Sequence, residues 1–314
     1  MNILITQVSK FGALCWIKCL KRISNMHIVL YGIDICAKGE CAGSQLVDYY
    51  FEVDSTLNKE QYLDYIENIC STSQIDLLLS VMDNELSCLI QSKRFDNLMF
   101  CPTLDIFSIF HDKFIASKEI QKLGLDIPPI IENPFGEHKV IIRDRIGIGS
   151  RGIYIIDLEK EQYIENRFQK TRFMQQYISG DEYTVDVFTD KGGKPVVIVP
   201  RKRLEIRQGI SFISEIVQDD ELIEICKKIY SSFKIPGISN IQFIKNDSGI
   251  YFIELNTRIG GTTIASVLSG FNFIELYLQH FVQNKKIESF PFYQNLFAWG
   301  SIISRDYEEY IYLA

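Results

Sequence analysis

The chain has 314 residues, of which 46% are apolar and 23% charged, the composition of an ordinary globular protein with room for two or three packed units. Its 33 basic and 40 acidic residues give a formal charge of -7. Because proteins that neutralise many DNA or RNA phosphates carry a basic excess, this balance argues against a nucleic-acid partner.

Alternating short apolar runs and helical patterns occupy roughly the first 105 residues. Strands are predicted at residues 2–6, 27–31, 50–53 and 75–81, with helices at about 11–23 and 59–70. This alternation indicates a parallel α/β unit. The turn after the first strand holds one glycine, Gly12. A dinucleotide site would need G-x-G-x-x-G there, so the loop does not fit a nicotinamide enzyme.

The pattern changes after a helix predicted at 112–123. Further strands are predicted at 140–142, 152–156, 173–178, 183–189, 196–199 and 296–304, with helices near 219–233 and 263–281. This second portion is typical of an α+β fold with antiparallel strands.

Eight cysteines are present, and they form no C-x-x-C pair. We expect reduced, mostly buried thiols; the alternative is a redox pair of Cys15 and Cys19, one helical turn apart. The N-terminus lacks the pattern of a signal peptide, and no apolar stretch approaches the roughly 20 residues that span a bilayer. The expected location is therefore the cytoplasm.

The most informative segment is a predicted hairpin at 237–258, in which two β-rich runs flank Asn246-Asp247-Ser248-Gly249. Because side chains alternate along a strand, Glu254, Asn256 and Arg258 project from one face. A three-residue loop would put Gln242 directly opposite Glu254, and a five-residue loop would put it diagonally on the same face.

These side chains suit a magnesium–phosphate site, since Mg2+ prefers hard oxygen ligands shared with phosphates and arginine binds phosphate in a fork. The alternative is an exposed polar hairpin end with a surface salt bridge.

Two other segments favour nucleotide binding. Residues 143–152 form a glycine-rich loop between two strands, where Arg143, Arg145 and Arg151 surround glycines whose N–H groups can approach an anion. It lacks the Gly-Lys-Ser/Thr ending of a Walker loop. Residues 173–186 form a strand, a tight turn and a strand, which could offer backbone groups to an adenine and a carboxylate to a ribose. Plain hairpins remain the alternative for both segments.

Taken in order, these segments resemble the ATP-grasp superfamily, most closely its carbamoyl-phosphate synthetase large-chain and carboxylate–amine ligase branch. The resemblance rests on Asp112-Lys113, the glycine-rich loop, the 173–186 hairpin, Ser-Asn-Ile-Gln-Phe at 239–243 and Glu-x-Asn-x-Arg at 254–258. It implies a Rossmann-like parallel domain at 1–107, a small lobe or lid at 108–180 and a large lobe carrying the metal site at 181–314.

The same resemblance implies residue roles. Lys113 and Arg143 would contact the nucleotide phosphates, and residues 147 to 152 would cover them as a mobile cap. Residues 176 to 178 would form the adenine hinge, and Glu182 would hold the ribose. The nucleotide contacts would thus come from Lys113, Arg143, Gly147, Gly149, Ser150, Gly152, Gln176, Tyr177, Ile178 and Glu182. Mg2+, or Mn2+ in its place, would be bound by Gln242, Glu254 and Asn256, and Arg258 would steady the transferring γ-phosphoryl group.

Two positions depart from the family pattern. The hinge usually carries Glu where Gln176 stands, and the first metal position, here Gln242, is often acidic. The carbamoyl-phosphate branch uses Gln at the latter position, so activity is compatible with it.

The basic stretch 200–209 lies between two elements of this ATP site. We predict that Arg203 meets the substrate carboxylate or acyl phosphate; a solvated edge strand is the alternative. Asp83 and Glu85 could line the substrate cleft or cap a helix.

The predicted function is an ATP-dependent carboxylate–amine, or carboxylate–nucleophile, ligase that forms an acyl phosphate and releases ADP and phosphate. The alternatives are a nucleotide-binding regulatory protein with a weakened site and a small-molecule kinase on the same scaffold. The expected partners are a small-molecule carboxylate and an amine or other nucleophile, without nucleic acid or membrane. A homodimer or a partner subunit is compatible with the sequence, although no pattern in it points to either.

Overall fold

The computed structural model describes residues 1–132, 139–147, 152–158, 171–288 and 290–312 of the chain. Within these ranges the chain forms one parallel sheet and two antiparallel sheets, as the sequence predicted. None of the helices found there is both long enough and apolar enough to cross a bilayer.

The parallel sheet is built from the first 80 residues in the order β3–β2–β1–β4. Its strands are β1 (Asn2–Thr6), β2 (Val29–Asp34), β3 (Tyr49–Glu52) and β4 (Leu77–Leu79). The central strands are almost wholly apolar because helices cover both sheet faces. All four predicted strands are therefore confirmed, although β2 begins and ends later than the pattern indicated.

A small antiparallel sheet follows, in the order β5–β8–β6–β7. Its strands are β5 (Ile130–Ile131), β6 (Lys139–Asp144), β7 (Tyr154–Asp157) and β8 (Arg172–Gln176). Its apolar residues form a small core of their own around Val140, Ile142, Ile156 and Met174. The strand predicted to run to residue 178 ends at Gln176.

The large antiparallel sheet has the order β13–β12–β9–β10–β11–β14. Its strands are β9 (Asp181–Thr189), β10 (Pro195–Arg207), β11 (Ile210–Ile216), β12 (Gly237–Asn246), β13 (Gly249–Asn256) and β14 (Ile302–Ser304). The last strand is shorter than predicted because Gly300, at φ +84°, turns the chain just before it.

Some of the helices begin where a side chain accepts from their first N–H groups. Asn58 and Gln61 form a capping box before α3, Asp112 caps α6 and Asp219 caps α7. The helices are α1 (Phe11–Leu20), α2 (Ala42–Leu46), α3 (Lys59–Thr72), α4 (Asp83–Ser92), α5 (Leu104–His111), α6 (Lys113–Lys122), α7 (Asp220–Ser232), α8 (Ile264–Leu268), α9 (Phe273–Phe281) and α10 (Phe290–Gln294).

The single helix predicted at 263–281 is wrong, because the chain breaks into α8 and α9. Gly270 lies between them at φ +136°, and a Cβ there would approach Leu296 O to 2.6 Å. The following Asn272 caps α9 through the N–H of Ile274. A glycine that reverses the chain and a new cap therefore interrupt a pattern that is apolar throughout.

One continuous core joins the parallel sheet to the large sheet. Trp16 of α1 packs on Tyr277 of α9 with ring centroids 5.4 Å apart, and Phe188 of β9 lies 6.2 Å from the same ring. The alternate residues Val185 and Val187 of β9 face a second core with α7. The large sheet is thus covered on both faces. Polar groups are found at the edge formed by β12 and β13.

Candidate functional site

The β12–β13 hairpin has a two-residue loop, Asp247-Ser248, since Asn246 pairs with Gly249. A regular hairpin with that loop would pair Gln242 with Ile253. Instead Gln242 pairs with Glu254 and the register shifts next to it, so Ile253 is an extra, bulged residue. The loop is shorter than either length considered from the sequence, and the bulge restores the direct opposition of Gln242 and Glu254.

The bulge also explains which side chains are buried. Phe252 and Leu255, three positions apart, are 1% and 2% exposed and enter the core shared with α7. In an unbroken strand, residues three apart would face opposite sides. With the extra residue between them both point inward, which leaves Glu254 and Asn256 on the other face.

The Glu254 carboxylate lies between two cationic side chains. Its Oε2 atom is 3.7 Å from Nζ of Lys113 and 3.6 Å from Nη2 of Arg143. Arg143 also donates from Nη1 to the carbonyl of the bulged Ile253 at 3.3 Å. Its Nε is buried and has no hydrogen-bond partner among the described residues.

Burial lowers the pKa of both Lys113 and Arg143, and the charge of Glu254 opposes this shift. Both cations are desolvated, and the single Glu254 carboxylate neutralises only one of their two positive charges. One positive charge is therefore left in excess. Such an arrangement favours an incoming anion.

Lys113 connects this site to the glycine-rich loop, since its Nζ donates to Gly147 O at 2.8 Å. At the other end of the loop Gly152 has φ +74°, and a Cβ there would lie 1.9 Å from Oδ2 of Asp144. A side chain at that position would be strained by the positive φ and would displace the Asp144 carboxylate. The predicted contacts Gly149 and Ser150 lie outside the described residues.

The asparagines are linked across the hairpin. Nδ2 of Asn256 donates to Oδ1 of Asn240 and to Oε1 of Glu254, both at 3.2 Å. Asn240, for which the sequence suggested no role, is buried and donates from Nδ2 to Arg258 O at 3.1 Å. Its position in the Ser-Asn-Ile-Gln-Phe segment, pairing with Asn256, was the available signal. While Nδ2 of Asn256 is engaged in this way, its Oδ1 accepts no hydrogen bond from the described residues and keeps its capacity to bind a ligand.

Arg258 forms a two-pronged ion pair with Asp83, the first residue of α4. Its Nε and Nη2 atoms lie 2.8 and 2.9 Å from the two Asp83 oxygens. The side chain of Asp83 does not cap the helix, whose N-cap residue is Met82. Glu85 neither caps nor lines the cleft, since it is buried and accepts hydrogen bonds from Thr6, Ser80 and Tyr62.

Arg203 lies inside the large sheet, because β10 runs between β9 and β11; the solvated edge strand is therefore wrong. Its Nη1 donates to Glu182 Oε2 at 2.7 Å and its Nη2 to Gly209 O at 2.6 Å. Its Nε is buried without a partner in the described part of the chain. Burial lowers the pKa of Arg203, against the opposing charge of Glu182. The two residues predicted for substrate and ribose are thus in direct contact.

The predicted adenine hinge begins at the end of β8. Gln176 N–H donates to Pro129 O at 2.9 Å and Tyr177 N–H to Lys139 O at 3.1 Å. Lys139 Nζ also lies 4.2 Å from the centre of the Tyr177 ring. Two N–H groups of the hinge are therefore engaged within the small sheet, and Ile178 follows as the first residue beyond them.

A cleft lies between these elements. Asp83, His111, Lys113, Gly147, Glu254 and Asn256 are among its lining residues. His111 stacks on Phe107 at 5.2 Å between centroids, and burial lowers its pKa, so the ring is neutral at neutral pH. The structure therefore gathers Lys113, Gly147, Glu254 and Asn256 around one opening, with Arg143 and Arg258 bound to its walls.

Comparison with known proteins shows what this chain is similar to. Residues 168–296 match a family model described as ATP-grasp in the biosynthetic pathway with Ter operon. A carbamoyl phosphate synthase large chain from Clostridium beijerinckii is 27% identical over 202 residues, which are 56% of this chain and 19% of that protein. The chain thus spans about a fifth of the length of this curated relative.

Solved structures share the fold over nearly the whole chain. N5-carboxyaminoimidazole synthetase from Staphylococcus aureus, complexed with ADP, superposes with a TM-score of 0.72 at 14% identity, covering 92% of this chain and 78% of that one. L-amino acid ligase from Bacillus licheniformis gives 0.67 at 14% identity, covering 90% and 74%. At this identity the likeness establishes the fold.

Proposed function

Since residues 168–296 belong to an ATP-grasp domain, we propose that the chain is an ATP-dependent ligase that joins a carboxylate to an amine through an acyl phosphate. The observation that carries this proposal is the Glu254 carboxylate held between Lys113 and Arg143, opposite Gln242 and beside Asn256. The division into 1–107, 108–180 and 181–314 belongs to the same proposal.

Charge is the first argument. ATP and a carboxylate repel each other, so an enzyme that joins them must offset their negative charge while aligning them. In this proposal Lys113 and Arg143 would contact the nucleotide phosphates, and Arg258, two residues beyond β13, would steady the γ-phosphoryl group. The Asp83 contact sets the direction of the Arg258 fork.

The donor set fits a hard divalent ion. Glu254 supplies a carboxylate, and Gln242 and Asn256 supply amide oxygens, which are the ligands that Mg2+ or Mn2+ takes together with phosphate. Asn240 supports the set by fixing Asn256. A bound ion would neutralise phosphate charge in the transition state.

In the proposed reaction the substrate carboxylate oxygen attacks the γ-phosphorus, the bond from that phosphorus to the β–γ bridging oxygen breaks, and ADP leaves. The amine then attacks the acyl carbon, and phosphate departs with the former carboxylate oxygen as the amine gives up a proton. The 147–152 loop would exclude water from the acyl phosphate. Gln176 to Ile178 would hold adenine, and Glu182 the ribose.

Arg203 takes part through its pairing with Glu182. With its Nη atoms occupied and its Nε without a partner in the described structure, it is placed to respond when a nucleotide engages Glu182. We propose that the guanidinium then turns to the substrate carboxylate or acyl phosphate. Replacing Glu182 by Gln should therefore raise the KM for ATP and also alter the KM for the carboxylate.

The test begins with a thermal-shift screen of carboxylates and amino acids in the presence of Mg2+ and a non-hydrolysable ATP analogue, because ligands stabilise the state they bind. A carboxylate found in this way is then labelled with oxygen-18 and incubated with ATP, Mg2+ and amines. The proposal predicts amine-dependent ADP release and transfer of one label to inorganic phosphate.

A stable phosphorylated product with no amine requirement would instead identify a kinase. Nucleotide binding with no ADP release from any carboxylate–amine pair would identify a regulatory protein. Glu205, which is partly exposed and pairs with Arg207, provides the matched control: Glu205→Gln should leave the reaction unchanged, whereas Glu254→Gln should sharply lower label transfer.

A further inference from the structure

A second set of metal-type ligands lies in the parallel-sheet domain, where β2 ends. Asp34 is the last residue of β2, and Cys36 and Cys41 lie in the loop that leads to α2. One carboxylate oxygen of Asp34 and the two Sγ atoms all lie within 4.8 Å of one another. We propose that Asp34, Cys36 and Cys41 bind a thiophilic divalent ion of the zinc type.

The distances suit such an ion. Zinc binds thiolate at about 2.3 Å and carboxylate oxygen at about 2.0–2.2 Å, and in a tetrahedral site these bonds separate the ligand atoms by about 3.6–3.8 Å. That separation is compatible with three ligand atoms that all lie within 4.8 Å of one another. Three protein ligands leave a fourth position for water. Two sulfurs exclude Mg2+ and Ca2+ as the preferred ions, since these take oxygen ligands.

Asp34 supplies the second argument because its charge is buried without a cationic partner. The residue is 4% exposed. Its oxygens accept from the N–H groups of Ser9 and Ile35, both at 2.8 Å, and no Lys or Arg in the described ranges lies within ion-pair distance. A buried carboxylate usually pairs with a cation or a metal. Hydrogen bonds of this kind also orient ligating carboxylates in metal sites.

The loop is already held in one shape. Ser44 Oγ accepts from Gly39 N–H at 2.9 Å and donates to Cys41 O at 2.7 Å, and Glu40 accepts from Ala37 N–H at 3.1 Å. The Tyr50 hydroxyl donates to Cys36 O. The ligands are therefore preorganised, which lowers the entropy lost on binding.

A redox disulfide is the competing use of two neighbouring thiols. A disulfide would join the two Sγ atoms alone and leave the buried Asp34 carboxylate without a positive partner, whereas a divalent ion would contact all three groups.

The site would act on the C-terminal segment as well. Tyr312 packs against Gly39, where an added Cβ would lie 2.5 Å from its ring. A metal that fixes the 36–41 loop would also fix the contact between Gly39 and Tyr312. Metal binding should therefore raise the thermal midpoint of the whole chain.

The experiment titrates the full chain, reduced and freed of metal by a chelator, with Zn2+ or Co2+ in excess Mg2+ that occupies sites made of oxygen ligands. We expect one ion per chain, a thiolate-to-cobalt charge-transfer band and a higher thermal midpoint with Zn2+. Cys36→Ser and Cys41→Ser should each weaken binding at least about 10-fold, because even partners behind a ligand contribute that much.

Cys88→Ser is the matched control, since Cys88 is also partly buried in the same domain but lies outside the cluster. It should bind zinc as the unaltered chain does. The Cys36→Ser/Cys41→Ser double variant, with a thermal midpoint near that of the metal-free chain, keeps loss of binding distinct from loss of folding. Equal zinc uptake by the double variant, no uptake by the unaltered chain, or a Cys36–Cys41 disulfide in protein purified with a thiol reductant would each overturn the proposal.

Discussion

Replacing Asp186 by Asn should lower the free energy of unfolding by about 4–5 kcal/mol, because it strands a buried guanidinium. Asp186 and Arg201 are both 0% exposed, and Arg201 Nε lies 2.8 Å from Asp186 Oδ2. An intact buried pair adds little net stability, since desolvation offsets the attraction, but removal of one partner leaves a buried charge uncompensated.

The remaining partners decide the order of the effects. Without Asp186, Arg201 keeps Ser214 and Thr262 as its hydrogen-bond partners within the described ranges, and guanidinium cannot shed its proton. Without Arg201, Asp186 keeps donors from Thr263 and Ser266 at 2.7 and 2.6 Å. A carboxylate can also take up a proton. Arg201→Met should therefore cost less, about 3 kcal/mol.

Urea unfolding followed by tryptophan fluorescence measures both values. Asp64→Asn is the control, because Asp64 is 67% exposed in its pair with Arg94 and should cost less than about 1 kcal/mol. If Asp186→Asn were no more costly than this surface change, or were milder than Arg201→Met, the reasoning from buried charge would be wrong.

Three further predictions concern the cleft. Glu254→Gln should lower kcat/KM about 100-fold or more, with a raised Mg2+ requirement, by loss of the ligand held between two cations; unchanged Mg2+ dependence would contradict this. Arg258→Lys keeps the positive charge but loses the two-pronged contact with Asp83. Its kcat should therefore fall about 10–100-fold, and the kcat of Asp83→Asn should fall by a smaller factor. If Arg258→Lys had the kcat of the unaltered chain, a role that depends on the guanidinium fork would be excluded. Burial lowers the pKa of His111 below its usual 6.5, so the unfolded chain binds this proton before the folded chain as the pH falls below about 6.5. The free energy of unfolding should therefore decrease in that pH range, and it should decrease less in His111→Asn. Urea titrations at several pH values measure both.

Local chemistry determined most of the fold. Alternation of apolar strands and helices predicted the parallel sheet, and the turn residues 246–249 predicted the hairpin. The same reasoning failed at 263–281, where an apolar pattern hides the break at Gly270, because periodicity reports which face is buried and not where the backbone reverses.

The cysteines show the same division. The sequence predicted free, mostly buried thiols; all eight are free, but only four, Cys15, Cys19, Cys70 and Cys226, are buried, and the other four are partly exposed. Cys36 and Cys41 are only partly buried and meet Asp34, although their spacing matches no common metal motif. The hydrogen bonds of Ser44 and Glu40 fix the turn of the loop, and this turn brings the two thiols to Asp34.

By itself, the sequence determined the candidate ligands Gln242, Glu254 and Asn256 and the expectation that they share a face. Only the tertiary structure decided their register, through the extra residue at Ile253, and only it brought Asp83 to Arg258 across 175 positions. The reason is physical: side-chain direction follows from local backbone geometry, whereas register and distant ion pairs depend on how whole elements pack.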